Sequence, residues 1–322
     1  MKNKQIFKGG IIPKRPVSTY SIVARDPSTG ILGVAVQSHW FSVGSCVLWA
    51  EAGVGAVATQ SFVEMSYGPL GLALMKSGKS ATVTLNALLA ADSKNHHSRQ
   101  VGMVDAQGRT AAFTGNRCVA AAGHDTGEGF TVQANMMAKD TVWPAMKRSF
   151  EESAGDLPER LMGALAAAES EGGDIRGKQS AAILVVNGES SGRPWADRIV
   201  DLRVEDHPDP IGELARLLKL SQSYDYMAKG DELATTGDLK GAGVAYEQAA
   251  TRNPEQMECP FWHGIMLAAS GKTEDAIPFF RRVFATEPHW RDLVPRLPAA
   301  GLLPNDLNLV ERIVGVGKDE CR

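Results

Sequence analysis

The stretch Thr19–Ser38, TYSIVARDPSTGILGVAVQS, decides the fold that this sequence predicts. Two runs rich in Val, Ile and Ala flank the turn Pro27–Gly30. Proline presets φ for a turn and glycine tolerates positive φ, so the pattern predicts a β-hairpin. Polar residues stand at the ends of both predicted strands, where side chains can face a cleft. These residues are Thr19, Asp26, Ser38 and His39.

Length and composition indicate a globular protein of two domains. The chain has 322 residues, of which 43% are hydrophobic, enough to build full cores. A net charge of −3 gives no sign of a nucleic-acid partner. The four cysteines lie far apart without any Cys-x-x-Cys pair, so neither a disulfide framework nor a zinc knuckle is predicted. A cytoplasmic location is the default expectation.

Residues 1–18 are predicted to form a disordered basic extension. They carry five Lys or Arg residues and no acid, and Gly9, Gly10, Pro13 and Pro16 interrupt any apolar run. A secretory signal peptide needs an uninterrupted apolar segment, so none is predicted. No stretch of the chain approaches the apolar length of a membrane helix, and we expect no membrane partner.

The hairpin is followed by strands, helices, strands, helices and strands, which predicts an α+β domain over residues 19–208. Neighbouring strands are joined by hairpins, so the sheets are expected to be antiparallel and layered with helices. The run Gly53–Ala58 (GVGAVA) matches the residue pattern of a dinucleotide-binding fingerprint. It continues as strand instead of opening a helix, so glycines for close strand packing are the better interpretation.

Residues 209–322 are predicted to be helical, with an internal repeat of 34 residues. Five positions keep register, including Gly230 with Gly264 and Tyr246 with Phe280. This pattern is typical of tetratricopeptide repeats, in which small residues let helices approach and an aromatic ring fills the gap. Helices at 211–226 and 307–314 are expected to act as caps. A peptide-binding groove, a dimer surface and a stabilising appendage all fit, and residues 211–322 are a candidate site for a protein partner.

Metal and cofactor chemistry is not predicted. Seven histidines are present, but no His-Glu-x-x-His or His-x-His spacing occurs. The run Gly188–Gly192 (GESSG) fits the letters of a nucleophile elbow, which must turn from strand into helix; here it leads towards another strand and is interpreted as a loop.

A set of polar residues on strand ends remains as the candidate site. Any one of them can simply satisfy backbone groups, and Asp174 with Arg176 can equally form a structural ion pair. Because these polar residues occur in every predicted sheet segment of one domain, together they indicate a functional site. The set comprises Thr19, Ser21, Asp26, Ser38, His39, Gln60, Gln133, Asn135, Asp174, Arg176, Gln179 and Ser180.

Several segments together resemble a bacterial family known as domain of unknown function 1028. The resemblance covers roughly Thr19 to Leu220 and is carried by the motifs TYSIVARD (19–26), GVGAVATQ (53–60), SYGP (66–69), QVGMVD (100–105), 172–180 and DLRVEDHP (201–208). It implies the N-terminal nucleophile hydrolase superfamily, and with it a four-layer αββα sandwich of two antiparallel sheets.

The resemblance also implies a mechanism. In such hydrolases a Thr, Ser or Cys at the chain start attacks an amide carbonyl, and its own α-amine takes the hydroxyl proton. Thr19 takes the place of the nucleophile, with Gln60 or Asn135 stabilising the oxyanion and Asp26, Ser38 and Arg176 orienting amine and substrate. Ser21, His39, Gln133, Asp174, Gln179 and Ser180 are assigned to substrate binding.

The eighteen residues before Thr19 leave three alternatives open. The extension is removed by self-cleavage; or the natural chain begins at Val17, which makes Ser18 a rival nucleophile; or the extension persists and the fold is inactive or uses an internal hydroxyl. Two functions are therefore expected: an amidohydrolase acting on a small molecule or short peptide, or a non-catalytic interaction protein that docks through its helical repeats. Self-association into a homo-oligomer is expected in either case.

Overall fold

The computed structural model describes residues 16–17 and 19–318, and within them the chain divides into two compact units. The first ends at Leu218 and the second begins at Lys219. In the first unit the strands are β1 Thr19–Arg25, β2 Leu32–Ser38, β3 Leu48–Glu51, β4 Gly55–Ser61, β5 Arg99–Asp105, β6 Thr110–Thr114, β7 Gly123–Gly127, β8 Phe130–Asn135, β9 Ser180–Val186 and β10 Arg198–Val204. Its helices are α1 Tyr67–Lys76, α2 Ala81–Ala91, α3 Val142–Glu152 and α4 Leu157–Ser170.

The strands form two antiparallel sheets. One has six strands in the order β10-β9-β2-β1-β8-β7, and the other has four in the order β3-β4-β5-β6. The predicted hairpin forms β1 and β2, whose register pairs Arg25 with Leu32 at the turn and Thr19 with Ser38 at the open end. The prediction of an α+β unit with antiparallel sheets is confirmed, and Gly55–Ser61 is a strand, as the rejection of a dinucleotide fingerprint required.

Alternation along β1 separates two different interiors. Tyr20, Ile22 and Ala24 belong to the apolar core that also contains the buried residues of α3 and α4. Val23 points the other way, into an apolar cluster shared by strands of both sheets. Successive side chains of a strand face opposite sides, so Thr19 and Ser21 lie on the same face as Val23, between the sheets.

Helices α1 and α2 cover the far side of the four-stranded sheet. Their buried residues form a third cluster with Val57, Val101 and Met103, the outward residues of β4 and β5. The order in the first unit is therefore helix pair, six-stranded sheet, four-stranded sheet, helix pair. Each sheet is covered on both faces, which explains why β2, β4, β5, β8 and β9 are buried throughout and β1 is buried up to Ala24.

The predicted boundary after residue 208 lies ten residues before the division that the structure shows. Helix α5 (Pro210–Thr235) begins in the first unit, where Ile211, Leu214 and Leu218 complete the core with α3 and α4. The prediction placed these residues in the second domain because their helical pattern continues without a break.

The predicted disordered extension at residues 1–18 lies outside the described residues except for Pro16 and Val17. Val17 does not fit that prediction, because only 1% of it is exposed and it belongs to the apolar cluster between the sheets. In the part of the chain that the structure describes, no helix is both long and apolar enough to cross a membrane.

The second unit is helical. It contains the rest of α5, then α6 Leu239–Arg252, α7 Glu258–Ala269, α8 Thr273–Thr286 and α9 Leu307–Gly315, with 3₁₀ turns at Pro288–Asp292, Val294–Arg296 and Pro298–Ala300. The paired repeat positions play equivalent roles. A Cβ on Gly230 would lie 3.0 Å from the ring of Tyr246, and one on Gly264 would lie 3.1 Å from the ring of Phe280. Assignment of these helices to the tetratricopeptide class stays a prediction.

The second unit contains one buried histidine whose titration should control its stability. The ring of His263 is stacked on that of Tyr246 at 4.8 Å and lies tilted against that of Phe279 at 4.3 Å, and burial lowers the pKa of His263 to about 4. The unfolded chain takes up this proton near pH 6.5, so the contribution of neutral His263 is complete above that pH and is lost as pH falls.

We therefore expect the second unit to lose about 2 kcal/mol of unfolding free energy between pH 7 and pH 5 through this one group. Urea unfolding followed by circular dichroism at both pH values measures the loss, and His263→Phe should remove that share of it. An equal pH dependence in the variant would show that His263 is not responsible.

Candidate active site

Thr19 lies at the open end of the central hairpin, where strand ends from both sheets meet. It pairs with Ser38 of β2 on one side and with Asn135 of β8 on the other, and Ser38 in turn pairs with Ser180 of β9. All four residues are fully buried. The register therefore brings together four members of the predicted polar set in one row across the six-stranded sheet.

The hydroxyl of Thr19 contacts the chain that precedes it. Its Oγ1 donates to the carbonyl oxygen of Val17 at 2.9 Å and lies 3.4 Å from Oγ of Ser38. Val17 is itself fixed, because its N–H donates to the carbonyl of Ser61 at 2.7 Å and its carbonyl accepts from the N–H of Ser61 at 3.1 Å. The hydroxyl of the nucleophile candidate is thus bonded to a fixed residue two positions before it.

Two side-chain amides hold the main chain at Thr19. Nε2 of Gln60 and Nδ2 of Asn135 donate to the carbonyl oxygen of Thr19 at 3.2 and 3.4 Å. Both amides also donate to Oε1 of Gln100, at 2.7 and 2.9 Å. In these contacts both amides hold the Thr19 main chain, and the oxyanion role that the resemblance implied for them stays a prediction.

The same network continues along the inner face of β1. Ser21 donates to Oε1 of Gln60 at 2.6 Å and accepts from Nε2 of Gln133, also at 2.6 Å. Thr131 donates to Oε1 of Gln133. Gly102 makes room for this amide, since a Cβ there would lie 2.1 Å from Oε1 of Gln133. Ser21 and Gln133 are therefore internal parts of the structure in this state of the chain, not an exposed binding surface.

His39, Asp174 and Arg176 form a second group at this end of the sheet. The buried Asp174 carboxylate accepts from the backbone N–H groups of His39 and Arg176, at 3.0 and 2.9 Å, and Nη2 of Arg176 lies 2.9 Å from it. The ion pair that the sequence left open is present within one loop, and the hydrogen bond from the His39 N–H to Asp174 joins that loop to the end of β2. The Arg176 side chain keeps 30% of its surface exposed, whereas Nδ1 of His39 is buried without a hydrogen-bond partner among the described residues.

The last two residues assigned to substrate binding hold loops in place. Ser180 donates to the carbonyl of Trp40 at 2.5 Å and accepts from the N–H of Val43 at 3.0 Å. Gln179 donates to the Asp206 carboxylate at the surface, at 3.2 Å. None of these hydrogen bonds involves the Thr19 hydroxyl.

Asp26 is not brought to the site. It follows the opposite end of β1, roughly 20 Å from Thr19 at the rise of a strand. Burial acts to raise its pKa, but hydrogen bonds from the hydroxyls and N–H groups of Ser28 and Thr29 outweigh that effect and hold the pKa below its usual value. Asp26 therefore stabilises the hairpin turn, and its predicted orienting role does not fit the structure.

Sequence reasoning missed Gln100, Thr131 and the pair Thr114 and His124. Nε2 of Gln100 donates to Oγ1 of Thr114 at 2.9 Å, and that oxygen lies 2.8 Å from Nδ1 of His124. Burial lowers the pKa of His124, which favours the neutral ring. Alternation in β5 was the available signal, since Gln100 and Gly102 share the inner face with the cluster residue Val104.

Backbone strain occurs next to the site. Ser61 at the end of β4 has φ of 67°, and Met136 directly after Asn135 has φ of 57°. Residues other than glycine rarely adopt this left-handed backbone conformation, and those that do are concentrated at functional positions. Among the described residues, no group of three His, Cys, Asp or Glu side chains is arranged to hold a metal ion.

The fold and this polar end of the sheets define an α+β protein with two antiparallel sheets, and comparison with known proteins places it in a family. A family of unknown function (DUF1028) matches residues 19–214, so the chain belongs to that family. The crystal structure of protein SPO2555 from Silicibacter pomeroyi, assigned to the same family, is similar with a TM-score of 0.56 and 32% identity, covering 63% of this chain and 88% of that one.

One further solved structure is less similar to this chain. Anbu (ancestral beta-subunit) from Yersinia bercovieri aligns with 61% of this chain and 90% of its own at a TM-score of 0.32 and 12% identity. None of the curated proteins matches this chain.

The glutamine network makes a direct prediction about stability. In Gln100→Ala, the amides of Gln60 and Asn135 lose their shared acceptor while remaining buried, so we expect a loss of about 1–3 kcal/mol of unfolding free energy. Gln107→Ala, at the exposed turn that follows the same strand, is the matched control and should stay within about 0.5 kcal/mol. Chemical unfolding curves measure both, and equal small effects would contradict a structural role for Gln100.

Proposed function

We propose that this protein is an N-terminal nucleophile amidohydrolase, in which Thr19 attacks an amide or ureido carbonyl of a small molecule or short peptide. One observation carries the proposal. The Thr19 hydroxyl lies at the meeting point of strand ends from both sheets and donates to the carbonyl oxygen of Val17, and two amides fix the Thr19 main chain. The family match also begins at Thr19.

The order of layers supports this class of hydrolase. Helix pair, sheet, sheet and helix pair is the αββα arrangement that the superfamily would require, with the nucleophile on a central strand and facing the space between the sheets. Thr19 has that position in β1, on the face shared with Ser21 and Val23.

The chemistry requires a free amine. While Ser18 is attached, the nitrogen of Thr19 belongs to an amide and cannot accept a proton. After cleavage of the Ser18–Thr19 bond, the α-amine has a pKa near 7.7–8.0, so an appreciable neutral fraction is available to act as base. It would deprotonate the hydroxyl of its own residue, and Ser38, 3.4 Å from that hydroxyl, is the side chain placed to orient the pair.

The remaining residues have supporting roles in the proposal. Gln60, Asn135 and Gln100 fix the Thr19 main chain so that its hydroxyl keeps one direction, which lowers the cost of reaching the transition state. Arg176 is the partly exposed cation at this end of the sheet and is the candidate to bind an anionic substrate group. Asp174 holds Arg176 and the loop of His39 together.

We expect the full-length chain to lose residues 1–18 and to begin at Thr19. Protein purified through a C-terminal tag should give the intact mass of residues 19–322, and Thr19→Ala should retain the extension because the attacking hydroxyl is gone. Circular dichroism checks that the variant is folded. Thr126→Ala, a change to an exposed threonine at the end of β7, should mature like the wild type.

Two other outcomes of the intact-mass measurement would change the assignment of the nucleophile or contradict the proposal. A mass that begins at Ser18 would move the nucleophile to that residue. A wild-type chain that keeps residues 1–18 and remains inactive towards amides would contradict the proposal.

A second candidate function is docking of a cationic peptide, and a groove in the second unit favours it. The groove has a volume of about 710 Å³ and is lined by α5, α6, α7 and the turn after Ala300. Its lining contains two carboxylates and no Lys or Arg, together with aromatic and apolar side chains: Asp231, Glu258, Tyr224, Tyr246, Trp262, Met266 and Leu302. Such a surface suits a lysine or arginine flanked by apolar residues.

We expect acetyl-Leu-Lys-Leu-amide to quench or shift tryptophan fluorescence on titration, and acetyl-Leu-Glu-Leu-amide to have no effect. Asp231→Asn should weaken binding of the lysine peptide at least fivefold, while Glu232→Gln, its exposed neighbour outside the groove, should not. Equal binding of both peptides would contradict recognition by charge.

A further inference from the structure

Val17 occupies a position that continues the four-stranded sheet at its edge. The N–H and C=O of Ser61 both bond to Val17, and Ser61 also pairs with Arg99 of β5. Because the N–H and C=O of one strand residue point to the same side, Val17 lies on the side of β4 opposite to β5. Among the described strands, β3 is the neighbour of β4 on that side, and its pairing ends with Leu48 opposite Ala58 and a bond from the N–H of Thr59 to the carbonyl of Val47, short of Ser61.

The side chain of Val17 fills an apolar site. Only 1% of it is exposed, and it belongs to the cluster between the sheets that includes Val36, Val43 and Val63. Two residues further along the chain, Thr19 starts the central strand of the other sheet. Val17 is thus bridged to the four-stranded sheet, while its carbonyl oxygen accepts a hydrogen bond from the Thr19 hydroxyl in the six-stranded sheet.

We propose that the place held by Val17 is the acyl-side specificity site of the mature enzyme, and that it takes an extended peptide with a small branched apolar residue. This inference rests on the proposed function. In the substrate, that residue is the second one before the scissile bond, its N–H and C=O pair with Ser61, and its side chain enters the apolar cluster.

The chemistry of maturation gives the reason. When Thr19 Oγ1 attacks the carbonyl carbon of Ser18, an O–C bond forms, the C–N bond breaks, and the nitrogen of Thr19 takes the proton to become the free amine. Water then hydrolyses the ester and releases the carboxylate of Ser18. A substrate whose acyl part ends in Val-Ser forms the same ester on Thr19, so both reactions require the same acyl-side contacts.

Removal of the extension therefore leaves the edge of β4 open beside Ser61. The N–H and C=O of Ser61 and the apolar site of the Val17 side chain keep their relative positions there. Ser61, whose N–H and C=O both bond to Val17, has a left-handed backbone conformation with φ of 67°. A residue with a charged side chain at this position would lose its hydration among valines, and we expect it to be rejected.

The test uses the chain that begins at Thr19, released from an N-terminal fusion by a site-specific protease. The probes are aminomethylcoumarin amides of acetyl-Pro-Xaa-Ser with Xaa as Val, Thr or Asp, and the same Val peptide with an N-methyl group on the valine nitrogen. We expect kcat/KM for Val to exceed that for Asp at least a hundredfold and that for Thr about tenfold. N-methylation removes the donor to the Ser61 carbonyl and should cost at least tenfold.

Binding separates this inference from the proposed function. The Thr19→Ala form of the same chain should bind acetyl-Pro-Val-Ser-amide by calorimetry and bind the N-methyl analogue at least tenfold more weakly. Binding with this preference but no hydrolysis by the Thr19 chain would support the peptide site and overturn the hydrolase. Hydrolysis of other amides without preference for Val would overturn the peptide site and leave the hydrolase standing.

Discussion

The hydrogen bonds that the Thr19 carbonyl accepts from Gln60 and Asn135 are the constraint on which the site depends. They connect the first residue of the central strand to both sheets, through an acceptor on Gln100 that both amides share. A buried amide left without partners is costly, so every member of this network needs the others in place. The polar layer therefore fixes where β1 begins, in a way that the surrounding apolar packing cannot.

The space between the sheets is divided accordingly. Towards β2, β3 and β9 it is filled by valine, leucine and alanine, and towards β5 and β8 by glutamine, threonine and asparagine. Apolar packing tolerates small shifts, whereas amides paired at 2.6–2.9 Å specify one register. Thr19 and Val17 lie where the two regions meet, so a precisely held hydroxyl adjoins an apolar pocket. That juxtaposition is what a selective hydrolase of apolar peptides would need.

Local chemistry was enough to predict much of the fold. The turn Pro27–Gly30 fixed the hairpin, and the hairpin register alone places Ser38 beside Thr19 and Asp26 at the turn. Assigning Asp26 to the site treated both ends of a strand as equivalent, although a seven-residue strand separates them. Gln100 was missed because its partners come from β4, β6 and β8, and no local pattern records which inner faces meet. Val17 was missed because a glycine-rich basic segment gives no hint that one residue pairs with Ser61.

Covalent trapping identifies the residue whose hydroxyl attacks, which we propose is Thr19. The chain beginning at Thr19 is treated with a peptide β-lactone, whose ring opening leaves an acyl group on an attacking hydroxyl, and the adduct is located by peptide mass spectrometry. Our expectation is a single adduct on Thr19, formed at a rate that falls when the amine of Thr19 is protonated or acetylated. Labelling of another residue, with Thr19 unmodified, would contradict it.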